Sequence, residues 1–529
     1  MTGSTSTQHQ QDQWQRLDQR TIRSSALKLC AATLATGIPT GIGLRIGDVS
    51  WTWTLIWVLG GTAAITTATA LIEWVRLRCS TFRIGDDRVE YIITFLATHR
   101  TSLPRDRIRT VEIVADPANR LFGVADIRIG TGDQGGDLSL KSIDRRYAER
   151  LRRQLIHRTG TGTGISSGGP QIGELARFRP SWIRFAPISF WTPVLGGAAF
   201  GAALQVANWF NAEDELLRRF QRLFDDVSLL SEIGIIAAAG LIVGAVTNLA
   251  IYAESWWNYR LEREPDGSLR ISRGLLNHRS TTFEEQRIRG VSVVQPAGIR
   301  LAGAARLEIL ATGLRKTDDD SKTSEPNTLM PAAPRQQVLA VAPAVLGTVV
   351  PGVPASRTAT ADTLTKHPAA AQRRRYVRAA AAVVGVTAAG VAMSLLVASV
   401  LWWVTAALFL PLLAFAGWSA TDNYAGLGHA VTDRHLVLRS GSVDRRTEVL
   451  VRDGLLGWKL RQSPLQRRAG LVTLFATTAA GDGALRLPDI GVDQGVELLL
   501  ATAPEWATVS RIRAGGDPVG SHDRTWRER

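Results

Sequence analysis

The sequence predicts an α+β membrane protein with six transmembrane helices in three hairpins, each followed by a small β-barrel or sandwich that ends in a helix. Three observations lead to this prediction. One segment, beginning at Ile108, Ile288 and Leu455, occurs three times in the chain. Apolar runs of about 20 residues, each long enough to cross a bilayer, come in pairs. One pair precedes each copy of the segment, so a hairpin and a soluble module form one repeated unit.

The repeated segment keeps its spacing without gaps. An arginine stands twelve positions after the first residue of every copy, at Arg120, Arg300 and Arg467. A glycine stands fifteen positions after it, at Gly123, Gly303 and Gly470. This shared register indicates one supersecondary unit used three times. The repeat predicts the architecture and does not by itself indicate an activity.

Six apolar stretches are predicted to span the membrane. A polar segment, residues 1–25, precedes them; its first 13 residues are rich in Ser, Thr and Gln and are expected to be disordered, and no signal peptide is expected. Tryptophans near the ends of the stretches suit the interface between lipid and water. The predicted hairpins are 26–72, 183–252 and 379–418, with spans Ala26–Ile46, Trp51–Ile72, Ile183–Val206, Ile233–Tyr252, Ala379–Ala398 and Leu401–Trp418.

Each hairpin leads into a module of alternating polar and apolar residues. Such alternation around turn residues predicts antiparallel hairpins of short strands, about six or seven strands in each module. A helix is predicted at each module's end, over Asp144–His157, Pro334–Leu346 and Asp493–Ala501. The modules are placed at 78–158, 258–347 and 422–505, with linkers at 159–176 and 351–372, an insertion at 317–327 and a disordered tail at 510–529.

The basic excess points to an anionic partner. The chain has 62 Lys and Arg against 47 Asp and Glu, a formal net charge of +15. Nucleic acid and the anionic face of a membrane both attract such a surplus, and the apolar runs favour the membrane. Basic residues lie on one side of the predicted spans, at Arg16, Arg20, Arg23, Lys28, Arg76, Arg78, Arg177, Arg179, Arg184, Arg260, Arg263, Arg373, Arg374, Arg375 and Arg378. The positive-inside rule then predicts that both termini and all three modules are cytoplasmic.

Several motifs carry a resemblance to a known family. They are WQRLDQR (Trp14–Arg20), LPRDRIRTV (Leu103–Val111), NRLFG (Asn119–Gly123), RQSPLQRRAGL (Arg461–Leu471) and RLPDI (Arg486–Ile490). With a membrane hairpin before each copy, the chain resembles the bacterial pleckstrin-homology-like (type two bacterial PH domain) multi-pass membrane proteins of unknown function. The resemblance implies PH-like modules, each a bent seven-stranded barrel with a C-terminal helix, and a bacterial plasma membrane. Module two departs most from the pattern, since it has FEEQRIRGV (Phe283–Val291) and the insertion at 317–327.

The candidate binding residues are the repeated arginines Arg120, Arg300 and Arg467, with Arg468. They would bind lipid phosphates or an acidic partner. The alternative, which is the commoner situation, is that a turn arginine pairs with a neighbouring carboxylate or carbonyl and fixes the strand crossing. The repeated glycines are predicted at turn positions that need an open backbone conformation. Small-residue motifs at Gly37 and Gly41, Gly197 and Gly201, and Gly240 and Gly244 predict close packing of helices within the chain.

No catalytic, cofactor or metal site is predicted. The eight histidines are scattered without metal-ligand spacing, Cys30 and Cys79 lie far apart, and Asp116 and Asp489 do not recur at matching positions. Neither a nucleophile elbow nor a zincin motif nor a P-loop occurs, so the chain is expected not to be an enzyme.

The expected function is that of an inner-membrane scaffold or interaction protein. Its three cytoplasmic modules would bind protein, peptide or anionic lipid headgroups, in a role such as membrane homeostasis or envelope stress. The expected partners are the lipid bilayer, anionic headgroups or another membrane protein, and not nucleic acid. A transporter or channel component is the alternative, against which the spans show no deeply placed ionisable residue. The sequence leaves the ligand, the partners and the oligomeric state open.

Overall fold

The structure is a computed structural model of the chain. It describes residues 14–16, 18–46, 50–85, 87–94, 98–108, 110–130, 138–156, 173–188, 191–209, 228–312, 327–347, 364–396, 401–481 and 483–502. The chain divides into two compact units, Met1–Val349 and Val350–Arg529. The first unit holds modules one and two with their hairpins, and the second holds module three with its hairpin. The predictions made for residues 1–13, most of both linkers, nearly all of the 317–327 insertion and the tail lie outside the described residues.

Long helices pair before each module, α1 with α2, α5 with α6, and α9 with α10. These pairs are called hairpins one, two and three below. The described helices, in chain order, are α1 (Arg20–Ile46), α2 (Trp51–Arg78, with a π-helical turn at Ile56–Gly60), α3 (Pro117–Leu121), α4 (Arg145–Ile156), α5 (Trp191–Trp209), α6 (Leu229–Trp256), α7 (Ala297–Leu301), α8 (Arg335–Leu346), α9 (Ala369–Leu396), α10 (Leu401–Ala425), α11 (Pro464–Arg468) and α12 (Val492–Thr502).

Four of the hairpin helices are long and apolar enough to cross a membrane within the described residues. They are Trp51–Arg78, Gly234–Trp256, Ala369–Leu396 and Trp402–Ala425. The other two hairpin helices, α1 and α5, are not among these four, so the predicted six spans are not confirmed. Within the described residues α5 contributes the shorter apolar stretch Thr192–Ala203.

The predicted start of the third span, at Ile183, is wrong. Residues Pro180–Phe185 form a 3-10 helix whose Trp182 and Phe185 are buried. The Trp182 ring lies 6.1 Å from the Tyr259 ring, and its indole nitrogen donates to Gln337 Oε1 at 3.1 Å. An aromatic ring predicted for the membrane interface is therefore part of the interior of module two, because its N–H and its ring both find partners there.

The strands form antiparallel sheets. The strands are β1 (Gln15–Arg16), β2 (Ser80–Ile84), β3 (Arg88–Thr94), β4 (Thr98–Pro104), β5 (Thr110–Ala115), β6 (Val124–Gly130), β7 (Leu138–Asp144), β8 (Gly173–Arg177), β9 (Arg260–Arg263), β10 (Leu269–Arg273), β11 (His278–Phe283), β12 (Ile288–Pro296), β13 (Ala304–Ala311), β14 (Thr328–Pro334), β15 (Gly428–Val431), β16 (His435–Ser440), β17 (Asp444–Val451), β18 (Leu455–Arg461), β19 (Leu471–Thr478) and β20 (Ala484–Gly491).

A small β-barrel or sandwich was predicted for each module; the sheets are open, so the closed barrel is not formed. Module one begins with the sheet β1-β2-β3-β4. Its remaining strands continue into module two as the seven-stranded sheet β7-β6-β5-β11-β10-β9-β8, in which β11 pairs with β5. Strand β13 pairs with β12 and β14. In the second unit β16 pairs with β15 and β17, and β18-β19-β20 form a three-stranded sheet.

The same order of elements recurs at each copy of the repeated segment. A 3-10 turn leads into a strand, a helix of five residues, two further strands and a longer helix. The five-residue helices α3, α7 and α11 are called tip helices below. Two residues after the end of each stands a glycine in the left-handed conformation, with φ of 71° at Gly123, 74° at Gly303 and 63° at Gly470. This conformation explains the invariant glycine of the repeat, because other L-residues adopt it at a cost.

Each hairpin is flanked by two paired segments of its own module. Strand β1 before hairpin one pairs with β2 after it, with Gln15 opposite Phe82. Strand β8 pairs with β9 across hairpin two, with Arg177 opposite Arg260. A β-bridge joins Thr365 and His429 across hairpin three. The predicted linker 159–176 thus ends in strand β8, and the linker 351–372 contains a residue bridged to β15, so each hairpin lies between two paired segments.

The core of module one lies between its two sheets and α4. Val89, Ile127 and Leu140 are fully buried there. Helix α4 covers this core with Leu151 and Leu155, which lie four residues apart on one face of the helix. The module is thereby packed as two open sheets closed by one helix.

Candidate functional site

The most concentrated set of buried polar groups in the second unit surrounds Asp489. This aspartate lies on β20, is fully buried and has a left-handed backbone with φ of 58°. Its carboxylate forms ion pairs with Arg374 and with Arg375, whose Nη2 lies 2.8 Å from Oδ2. Both arginines belong to α9, the first helix of hairpin three. A buried carboxylate of module three thus fixes the module to the start of its hairpin.

Gln466 of tip helix α11 completes this contact. Its Nε2 donates to Asp489 Oδ1 at 2.8 Å and to Thr473 Oγ1 at 2.7 Å. A capping box with Ser463 holds the side chain, because Ser463 N donates to Gln466 Oε1 at 2.9 Å while Ser463 Oγ accepts from Gln466 N. Tip-helix capping and hairpin docking therefore use the same glutamine.

Two histidines belong to this cluster: His367 contacts Asp489, and His429 contacts His367. His367 Nδ1 is 3.1 Å from the carbonyl oxygen of Asp489, which can only accept, so Nδ1 carries the proton. The ring of His429 lies 5.6 Å from the ring of His367. Burial, together with the neighbouring His429 and Arg375, lowers the pKa of His367 to about 3, and burial also lowers the pKa of His429. Both rings are therefore neutral at pH 7.

An open cleft of about 220 Å³ lies beside this cluster, between α9 and α10. Its lining residues are Arg375, Arg378, Ala379, Ser419, Ala420 and Asn423. Arg378 is exposed, and no carboxylate among the described residues pairs with it. One unneutralised guanidinium with a neighbouring hydroxyl and a carboxamide is a donor set that suits a phosphate oxygen. The cleft is the candidate binding site.

A related contact ties module one to hairpin one. Lys28 Nζ of α1 lies 2.5 Å from Asp116 Oδ2 and donates to Asn119 Oδ1 at 3.1 Å. Asp116 also caps tip helix α3 by accepting from Asn119 N at 2.8 Å. Asn119 stands eleven positions after Ile108, as Gln466 stands eleven positions after Leu455. The residue at this position of the repeat thus contacts a charged group of the module–hairpin contact in both modules. That group is Lys28 in module one and Asp489 in module three.

Module two uses an apolar version of this contact. The eleventh position after Ile288 is Ile299, which packs with Phe185, Ala304 and Ala332. Phe185 lies in the segment that enters hairpin two. Asn119 in module one and Gln466 in module three use an amide to make a polar contact to the hairpin-docking residues. In module two this polar contact is replaced by the apolar packing of Ile299.

The predicted binding residues lie one position beyond this contact. Arg120 is exposed at the end of α3, and its Nη1 donates to the carbonyl oxygen of Leu275 at 3.3 Å. Arg300 is partly exposed on α7, and Arg467 and Arg468 are exposed on α11. Each copy keeps its arginine on its own tip helix, and their role as ligand-binding residues stays a prediction.

Sequence reasoning missed the docking residues Lys28, Asn119, Gln466 and Asp489. A signal for two of them was present in the repeat, since position eleven is an amide in copies one and three. The signal for Asp489 was absent, because no second copy has an acidic residue there. Within the part of the chain that the structure describes, no group of three or more His, Cys, Asp or Glu side chains is placed to hold a metal ion, and Cys30 and Cys79 are free thiols.

Comparison with known proteins gives one match. Residues 34–159 and 375–504 match the family described as bacterial PH domain. The matched regions contain modules one and three with most of their hairpins, and they omit module two, whose sequence departs most from the family's motifs. No curated protein and no solved structure matches the chain.

Proposed function

We propose that this chain, two regions of which match the bacterial PH domain family, is a membrane scaffold that binds anionic phospholipid headgroups at the cleft of hairpin three. The modules would also present surfaces for protein or peptide partners, in a role such as membrane homeostasis or envelope stress. The proposal includes no catalytic step. The observation that carries it is the unpaired Arg378 in an open cleft beside the first turns of an apolar helix.

The position of the cleft at the basic end of hairpin three supports headgroup binding. Paired segments flank each hairpin, so both ends of a spanning hairpin would lie on the same side of a membrane. Basic residues lie at these ends, and the positive-inside rule favours the cytoplasm of a bacterial plasma membrane for that side. Arg378 would then stand in the zone of anionic headgroups. Each basic side chain near such a surface contributes about 1 kcal/mol of binding free energy.

The tip helices of the first unit support a membrane-facing arrangement. Leu121 and Leu301 occupy the same repeat position and are 72% and 80% exposed. Each follows a repeated arginine, and each tip helix contacts the base of its hairpin, α3 through Lys28 and α7 through Gly298 against Ile188. A leucine beside an arginine at this level suits the boundary between headgroups and acyl chains.

The test uses the full chain purified in mild detergent from membranes that contain anionic and neutral phospholipids. Retained lipid is extracted and quantified for the wild type, for Arg378→Gln and for Arg373→Gln. Arg373 is an exposed arginine of the same helix that does not line the cleft, and it is the matched control. We expect the wild type and Arg373→Gln to retain anionic phospholipid, and Arg378→Gln to lose at least half of it.

Added salt should weaken retention in the wild type, because an exposed ionic contact is screened. Equal retention by all three proteins would contradict the proposal. Selective retention of neutral lipid would contradict it as well.

The transporter alternative lacks a supporting observation in the described helices of hairpin two. The polar contact between α5 and α6 there is a hydrogen bond from Asn248 Nδ2 to Thr192 Oγ1 at 3.1 Å, which carries no charge. Ion or substrate flux through reconstituted protein would favour this alternative over the scaffold.

A further inference from the structure

Modules one and two are joined edge to edge through their sheets. Strand β11 of module two pairs antiparallel with β5 of module one over six residue pairs, from Thr110 opposite Phe283 to Ala115 opposite His278. We call this pairing the inter-module joint. It converts two three-stranded sets and β8 into one continuous sheet.

Helix α4 of module one covers this joint with charged groups. Arg152 is 97% buried and forms two hydrogen bonds with Glu264 of module two, at 2.9 and 3.0 Å, and a third with Thr282 of β11 at 3.0 Å. Glu149 accepts from Arg270 of β10 at 3.0 Å. Burial would lower the pKa of Arg152, but the hydrogen bonds and charges of Glu264 and Glu149 outweigh it and raise that pKa. The joint is therefore a built interface, and not a chance contact of two strands.

Both types of strand in this joint recur in the other modules of the chain. Strand β4 of module one corresponds to β11 of module two, because Leu103 and Phe283 stand five positions before Ile108 and Ile288. Strand β18 of module three corresponds to β5, because Gly457 stands two positions after Leu455, as Thr110 stands after Ile108. Within the described residues, β4 and β18 are each the last strand of their sheets. Each presents an unpaired edge.

The open edge of β18 carries apolar side chains that its counterpart buries. Leu460 is 56% exposed, whereas Ile113, at the equivalent position of β5, is 6% exposed. Val496 of α12 stands where Glu149 stands on α4, and it is 49% exposed. The polar groups that cover the joint of modules one and two are thus replaced in module three by uncovered apolar groups, which a further strand would bury.

We propose that a second copy of this chain docks the edge of its β4 on β18, in the antiparallel mode of the inter-module joint. The same chain supplies both strand types, so the occupant needs no other protein. In the register of the joint, Arg100 of β4 lies opposite Leu460. Its guanidinium is held by Glu90 at 2.7 Å, which leaves the aliphatic part of the side chain to cover the leucine. The contact is head to tail, so it extends from copy to copy.

This proposal does not depend on headgroup binding. It predicts one register, because Thr281 lies opposite Glu112 in the joint and these positions correspond to Thr101 and Lys459. The test replaces Cys30 and Cys79 by serine in the full chain. One copy then carries Thr101→Cys and one affinity tag, and the other carries Lys459→Cys and a second tag. Each chain holds a single thiol, so any disulfide joins two chains.

Co-expression in membranes, mild oxidation and purification through both tags should give a cross-linked dimer of Thr101→Cys with Lys459→Cys. Its yield should exceed by at least fivefold that of a control pair of Thr101→Cys with Asp493→Cys, which places the second thiol on exposed α12. Leu460→Lys, introduced beside Lys459→Cys, should lower the yield toward that of the control pair while leaving expression unchanged, because Leu460 is exposed in the single chain.

Equal yields for the matched and control pairs would overturn the proposal. A Lys459→Cys thiol that reacts with another membrane protein and not with Thr101→Cys would overturn it too, since a different partner would then occupy the edge.

Discussion

Asp489 combines two unfavourable features at one residue. It has a left-handed backbone and a fully buried carboxylate, and the pair of arginines on α9 offsets the burial. We predict that Asp489→Asn lowers the stability of the second unit by about 3–5 kcal/mol, because Arg375 is left buried without a counter-charge. Asparagine tolerates the left-handed conformation, so the loss reports the charge and not the backbone.

The measurement is the thermal unfolding midpoint of the full chain in detergent. Asp493→Asn, an exposed aspartate on α12, is the control and should leave the midpoint unchanged. An Asp489→Asn protein that unfolds at the wild-type temperature would show that the ion pairs contribute little.

His367 makes a pH-dependent contribution to stability. Its folded pKa of about 3 lies below the ordinary value of 6.5, so the unfolded chain binds a proton between these pH values and the folded chain does not. The contribution of His367 to the free energy of unfolding is therefore fully present above pH 6.5. It falls as the pH is lowered toward 3, by up to about 1.4 kcal/mol for each pH unit.

A His367→Gln variant should show a shallower fall in unfolding midpoint between pH 7 and pH 4 than the wild type. Parallel curves for the two proteins would mean that His367 is protonated without penalty in the folded state. His429 faces the same ring and should contribute in the same direction, because its pKa is also lowered.

At the residue scale, the repeat predicted the turn conformation of its glycines better than it predicted which residues make the functional contacts. The shared spacing predicted turn glycines, and their positive φ values confirm the prediction. The same spacing drew attention to Arg120, whose guanidinium donates to a main-chain carbonyl, as the alternative interpretation of a turn arginine holds. The buried amides of Asn119 and Gln466 were missed because their partners come from distant helices, and contacts over such separations leave no local pattern.

Among the secondary-structure elements, hairpin two shows which small residues bring helices together. A Cβ added to Gly196 would lie 2.0 Å from the carbonyl oxygen of Gly240, and one added to Gly244 would lie 1.9 Å from that of Thr192. Gly197 and Gly201, which form the small-residue motif of α5, have nothing within 4 Å of an added Cβ. The motif predicted close packing correctly on α6, and on α5 the contact is made by the neighbouring glycine.

We predict that Gly196→Ala and Gly244→Ala each destabilise hairpin two by about 1–3 kcal/mol, because the backbones must separate to admit the methyl group. Gly197→Ala and Gly201→Ala are matched controls and should be neutral or slightly stabilising, since alanine is the better helix former. The heat-induced aggregation midpoint of the full chain in detergent separates the two pairs. Equal effects of all four substitutions would contradict the packing.

Element positions were predicted more accurately than their assembly. The closing helix of module one was predicted over Asp144–His157 and is found at Arg145–Ile156, because its apolar spacing is a local property. The end of the 3-10 helix Pro180–Phe185, from Ile183, was mistaken for the start of a membrane span, because burial in a module and burial in lipid select the same apolar residues. A separate small barrel or sandwich was expected for each module, whereas β5 of module one pairs with β11 of module two, between residues 163 to 173 positions apart.

For the whole molecule, the sequence predicted six spans in three hairpins, each followed by a module; the described helices contact each other in pairs, and the full three-hairpin architecture stays a prediction. Membrane association rests on four apolar helices and on the family match. The remaining two spans, the cytoplasmic orientation and the scaffold role stay predictions. Fusing a reporter that is active only in the cytoplasm after residue 349, between the two units, should give activity. Inactivity of that fusion would reverse the proposed orientation.

The pairing of segments across each hairpin has a consequence for biosynthesis. The ribosome releases β1 long before β2, and the two can meet only after the intervening helices have left the translocation machinery and turned back. The same order holds for β8 with β9 and for Thr365 with His429. If the hairpins span a bilayer as proposed, a chain whose hairpin crosses once instead of twice would leave the two segments on opposite sides of the bilayer. Pairing of the two segments would then report that the intervening hairpin crossed twice.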